Sequence, residues 1–130
     1  MAKTELKTAT KKKKAAKLPA QIELAIDAAE AKQARELIVL DLRKTGGFTD
    51  YFVIASGGNA RQVRAIADAV IESLAGKGAK PAYVEGYDES EWILLDYFDF
   101  IVHVFGQETR TFYDLERLWG NAERTEVGAT

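Results

Sequence analysis

The sequence predicts an α/β fold of the α+β kind, a mixed β-sheet of about five strands flanked by helices. Three observations carry the prediction. Short apolar runs bounded by Gly, Pro, Asn or Asp are interleaved with segments whose apolar residues recur at helical spacing. The order along the chain reads helix, strand, strand, helix, three strands, helix, which suits helices laid over a sheet. At 130 residues and 47% apolar content, the chain has enough material for one compact domain with a sizeable core.

Each element has a local reason. Pro19 suits a first helical position, and Ile22, Ala25, Ile26 and Ala29 follow on one face, giving a helix over about 19–34. "RELIVLDLRK" is a nearly continuous apolar run, as expected of a strand buried on both faces. "TGGF" breaks it, and the short link makes the next strand, "TDYFVIAS", its antiparallel neighbour. In "SGGNARQVRAIADAVIESLAGKG", Asn59 is a candidate N-cap and Gln62 completes a capping-box pattern. Val63, Ile66, Ala67, Val70 and Leu74 then form an apolar stripe, and Gly76, Gly78 and Pro81 end the helix. A short strand around "AYVE" precedes a hairpin in "EWILLDYFDFIVHVF", and "TRTFYDLERLWG" is a last helix with Phe112, Leu115 and Trp119 on one side. The organisation expected is a Lys-rich tail over 1–18, a domain over 19–120 and a C-terminal tail over 121–130.

Charge is unevenly placed. Of 18 Lys and Arg, seven fall in residues 1–20 with one of the 20 acids, leaving 11 bases against 19 acids in the body. The tail is read as a disordered extension that either aids solubility or contacts RNA phosphates. It contains no Arg, which argues against a mitochondrial transit peptide. With no cysteine and one histidine, the chain has neither a disulfide framework nor a thiolate or histidine-rich metal site. No apolar run approaches the roughly 18–20 residues that span a bilayer, and the N-terminus lacks the apolar core of a secretory signal. A cytoplasmic protein without cofactor, metal or membrane partner is expected.

Three patterns could carry chemistry. "SGGN" entering a helix resembles a phosphate cradle, the basis of an alternative reading as a nucleotide-binding protein or nucleotidyltransferase. It is also a plain structural turn, and "LDLR" offers Asp41 followed by Arg43 where a metal-binding pair would need a second carboxylate. His103 lies inside a strand, where it is either a satisfied structural histidine or an acid–base group paired with Asp96 or Asp50. Arg110 beside Tyr113 is a recognition pair or a surface ion pair. The hairpin itself holds five aromatics and three acids. Alternation places Trp92, Leu94 and Asp96 on one face, and Ile93 and Leu95 on the other. Both faces are apolar, so a second layer covers each or one meets a partner. Trp92, after the acidic "DESE", is the candidate anchor, and an acid-rimmed apolar face suits a basic protein.

"TDYFVIASG", "RQVRAIAD", "VEG", "EWILLDYFDFIVHVF" and "RTFYDLERLW" resemble the Iojap family, the bacterial ribosomal silencing factors, in order over about residues 20–120. The resemblance implies a nucleotidyltransferase-like fold without transferase catalysis. It implies binding to the large ribosomal subunit through its protein fourteen, blockage of subunit joining, and repression of translation under nutrient limitation. It implies that Trp92, Leu94, Asp96 and Tyr97, of the W-x-L-x-D strand and the residue after it, bind the partner, with His103 and Phe105 on the paired strand. Relatives that dimerise imply a homodimer off the ribosome, masking the same face.

Overall fold

The computed structural model describes residues 18–128. Its elements are α1 (Ala20–Ala31), β1 (Arg35–Asp41), β2 (Tyr51–Gly57), α2 (Ala60–Ala75), β3 (Tyr83–Glu85), β4 (Trp92–Asp96), β5 (Phe100–Gly106), α3 (Gln107–Tyr113), α4 (Leu115–Leu118) and β6 (Glu123–Glu126). One sheet runs in the order β3-β4-β5-β2-β1-β6. Its central pair, β2 and β5, is parallel, and the neighbouring pairs are antiparallel. The expected Lys-rich tail lies outside the described residues, apart from Leu18.

The amphipathic stripes of α1 and α2 cover one face. Ile22, Ala25, Ile26 and Ala29 of α1 and Val63, Ile66, Ala67, Val70 and Leu74 of α2 pack on Val39, Val53, Ala55, Ile93, Leu95, Val102 and Val104. Alternation sends Ile38, Leu40, Phe52, Ile54, Ile101 and Phe105 to the other face, where Leu115, Trp92, Leu94 and Trp119 join them. Every residue of β2 is buried, because it is central and covered on both sides.

Asn59 caps α2 through Oδ1, which accepts from Gln62 N at 2.9 Å. Gln62 departs from the expected box. Its Oε1 accepts from Gly58 N at 2.6 Å, and its Nε2 donates to the carbonyls of Lys32 and Gln33, tying the end of α1 to the start of α2.

Three expectations are corrected. The sheet has six strands, because residues 123–126, read as part of a tail, pair with β1 from Ile38↔Glu126 to Asp41↔Glu123. All four of their side chains are exposed, so no apolar alternation announced the strand. Pro19 is the N-cap of α1, one place before the first helical position. The last helix is two: Asp114 adopts φ 49° and ψ 58°, a left-handed conformation that Asp tolerates better than most residues, and the break turns Phe112 out to solvent at 79% exposure. Leu115 and Trp119 keep the inward side.

Candidate protein-docking face

The antiparallel register of β4 and β5 sets Trp92 opposite Phe105, Leu94 opposite His103 and Asp96 opposite Ile101. From this pairing an aromatic strip crosses the sheet face away from α1 and α2. Phe48 meets Phe52 edge-on (centroids 6.4 Å apart), Phe52 meets His103 (4.4 Å), His103 lies 5.8 Å from Trp92, Trp92 packs on Tyr113 (4.7 Å), and Tyr113 meets Phe112 (5.0 Å). The middle of the strip is buried or half-buried, while both ends are open, Phe48 at 75% and Phe112 at 79%.

Trp92 Nε1 donates to His103 Nδ1 at 3.0 Å. An acceptor at Nδ1 fixes His103 as the neutral tautomer with its proton on Nε2. That Nε2 is buried and has no hydrogen-bond partner among the described residues. Burial pushes the His103 pKa down to about 3, because nothing beside it compensates a charge. The imidazole therefore acts as a fixed acceptor that orients the indole.

The sequence-predicted residues separate into two groups. Trp92, Leu94 and Asp96 are half-buried on the strip face, and Tyr113 is 51% exposed, so these four can touch a partner. Of the other four, three are buried and Tyr97 is half-buried. Phe105 and His103 are buried beneath Trp92. Arg110 is buried as well, its Nε and Nη2 donating to Glu116 Oε2 at 3.0 and 2.9 Å and its Nη1 to Ser56 Oγ at 2.8 Å, so it locks α3 and α4 to the sheet instead of forming a surface pair. Tyr97 packs with the α1/α2 core, its ring stacked on Phe100 at 5.0 Å, and burial pushes its hydroxyl pKa up to about 12. Alternation carried one place past the end of β4 sets Tyr97 on the face of Ile93 and Leu95. Phe48, Phe98 and Leu118 are open apolar residues that the sequence reading passed over. The signal at Phe48 and Phe98 was an aromatic within turn-forming residues, "TGGF" and "DYFD".

The chemical alternatives find little support in the geometry. Asp41 is held by Arg43, whose Nε and Nη2 donate to its two oxygens at 3.0 and 2.8 Å, and these bonds hold the carboxyl below the usual range. At the "SGGN" turn the Gly58 N–H is already taken by Gln62. A Cβ at Gly57 would come within 3.0 Å of Val63 N, so packing accounts for that glycine. The groove past this turn is lined by Glu89, Glu91 and Glu108, which repel phosphate. His103 bonds Trp92 and Asp96 Oδ1 accepts from Phe98 N, so the suggested acid–base pair does not form. Among the described residues, no group of three or more His, Asp or Glu is placed to hold a metal ion, and no helix is long and apolar enough to cross a membrane.

Against known proteins, a family model described as "Ribosomal silencing factor during starvation" matches residues 14–130. A Bacillus subtilis protein named ribosomal silencing factor is 37% identical over 106 residues, covering 82% of this chain and 90% of its own. A mouse protein named for mitochondrial assembly of the ribosomal large subunit is 29% identical over 101 residues, covering 75% of this chain and 44% of its own. A crystal structure from Chromobacterium violaceum superposes with a TM-score of 0.77 at 32% identity, covering 88% of this chain and 95% of that one.

Proposed function

Because the chain belongs to the ribosomal silencing factor family, we propose that it binds the large ribosomal subunit through ribosomal protein fourteen, occupies space that the small subunit needs, and so represses translation when nutrients are limited. The observation that carries this reading is the aromatic strip, centred on a half-buried Trp92 and open at Tyr113 and Phe112. Apolar area left without an intramolecular cover suits docking, and aromatic anchors concentrate binding energy. The acids beside it, Glu89, Glu91 and Glu108, favour a basic partner such as a ribosomal protein. The mouse relative, whose name refers to assembly of the ribosomal large subunit, supports the choice of subunit.

Blocking by occupancy requires no chemistry, and we assign none. Asp41 is engaged by Arg43 and the Gly58 N–H by Gln62, so neither is poised for phosphoryl transfer. Off the ribosome, a second copy covers the same strip. We assign this action to the cytosol.

The test is co-sedimentation of the full chain with separated subunits, followed by a subunit-joining assay. Binding to the large subunit alone, with joining reduced in proportion to occupancy, is the expected result. Binding to the small subunit, or joining unaffected at saturation, would refute the proposal.

A further inference from the structure

We propose that Phe48 and Phe98 form a second anchor point, which takes an Arg- or Lys-bearing segment of a protein partner. The inference rests on the reading that this chain seats on a ribosomal protein, and it extends that docking face beyond the Phe48 end of the aromatic strip, away from Trp92. Strands β2 and β5 are parallel, in register from Tyr51↔Phe100 to Gly57↔Gly106. Phe48 precedes β2 and Phe98 precedes β5, so both lie at the starting end of that pair, whereas Trp92, opposite Phe105, lies towards its finishing end.

The two loops are one platform. Thr49, itself buried, donates from Oγ1 to the Phe98 carbonyl at 2.7 Å, and Asp50 N donates to the Asp99 carbonyl at 2.9 Å. Each loop presents a phenyl ring to solvent, 75% exposed at Phe48 and 81% at Phe98. Phe98 does so from φ +77°, a left-handed backbone that glycine or asparagine adopts more readily, held by Asp96 Oδ1 accepting from Phe98 N at 2.8 Å. Core packing does not explain an exposed ring, and backbone preference opposes it. Bulky residues held in such conformations concentrate at sites of function.

Charge decides the partner. Asp50 and Asp99 are exposed beside the rings and Asp96 is half-buried, while Arg43, the nearest guanidinium in sequence, is committed to Asp41 at 2.8 Å. A cation stacked over a phenyl face and paired with a neighbouring carboxylate satisfies both features. A nucleic-acid strand would stack on the rings but be repelled by the aspartates.

The decisive variant is Phe98→Gly, which removes the ring and relieves the backbone together. It should melt at or above the wild-type temperature yet bind large subunits about tenfold more weakly, the loss expected of an interface anchor. Phe48→Ser, at a residue without positive φ, should also weaken binding. Wild-type binding by both variants would overturn the inference, even where Trp92→Ala has lost binding. Benzoylphenylalanine at position 98 should crosslink to protein, and crosslinking to ribosomal RNA would equally overturn it. If the wild-type chain binds no large subunit, the functional reading fails by itself. An Arg-Gly repeat peptide titrated into the full chain then decides this surface, with amide shifts at 48 and 98 expected and their absence overturning it.

Discussion

His103 cannot take a proton on Nδ1 without setting an N–H against the indole N–H of Trp92, now bonded to it at 3.0 Å. Its pKa in the fold is lowered from 6.5 to about 3 by burial, so the unfolded chain binds the proton more readily. The stability that His103 contributes is therefore fully present above about pH 6.5 and falls as the pH drops towards 3. Wild type should lose about 1.4 kcal/mol per pH unit more than His103→Gln across that window, measured by urea unfolding at several pH values. Equal slopes would mean that His103 is hydrated or charged in the fold. Trp92, the candidate anchor, also packs within the domain, its ring on Phe105 at 4.8 Å and on Tyr113 at 4.7 Å. Trp92→Ala is expected to cost about 2 kcal/mol in stability as well as at least about 2 kcal/mol in large-subunit binding. Ile93→Ala, fully buried on the opposite strand face, should cost about 2–5 kcal/mol in stability and leave the binding of the folded fraction unchanged. Thermal melts and co-sedimentation on the same samples separate the two.

At the scale of elements, the last third of the chain shows how a fold closes an edge without an apolar signal. β6 has four exposed polar residues, "ERTE", and is held through its ladder to β1, with Val127 N donating to the Leu37 carbonyl at 2.9 Å just beyond it. Without it, β1 would present a row of backbone groups beside the apolar run Leu37–Leu40, a template for pairing with another chain. Removing residues 121–130 should therefore cause self-association at concentrations where the full chain is monodisperse, read by light scattering. A truncated chain that scatters like wild type would show that β1 protects itself. The break at Asp114 has a comparable role. It lets α3 present Phe112 and Tyr113 outward while α4 turns Leu115 inward, both pinned through Arg110 and Glu116.

For the whole molecule, the opposite charges of tail and body divide two kinds of attraction. The body carries the strip and the acids beside it, a short-range surface matched to a basic protein. On the proposed reading the Lys-rich tail, outside the described residues, adds a long-range attraction to ribosomal RNA that salt screens. Deleting residues 1–17 should leave large-subunit binding within a few-fold of wild type at physiological salt and flatten its dependence on ionic strength. Loss of binding on that deletion would make the tail the anchor and the strip secondary.

What the sequence determined by itself is whatever neighbouring residues decide among themselves. The stripes of α1 and α2, the cap at Asn59, the hairpin of β4 and β5 and the alternation of Trp92 with Ile93 are set by spacings of a few residues, which hydrophobic period and capping chemistry express directly. The missing partner for Asp41 was legible too, because Arg43 stands two places along the chain, where a second carboxylate would be needed. What only the tertiary structure decided depends on residues far apart in the chain. Arg110 is buried because Ser56 lies beneath it, 54 positions away, and β6 is a strand because β1 offers an open edge. His103 is an acceptor because Trp92 stands diagonally across the hairpin. Phe48 and Phe98 share a platform because two strands paired 49 positions apart run parallel, a pairing to which no local spacing corresponds.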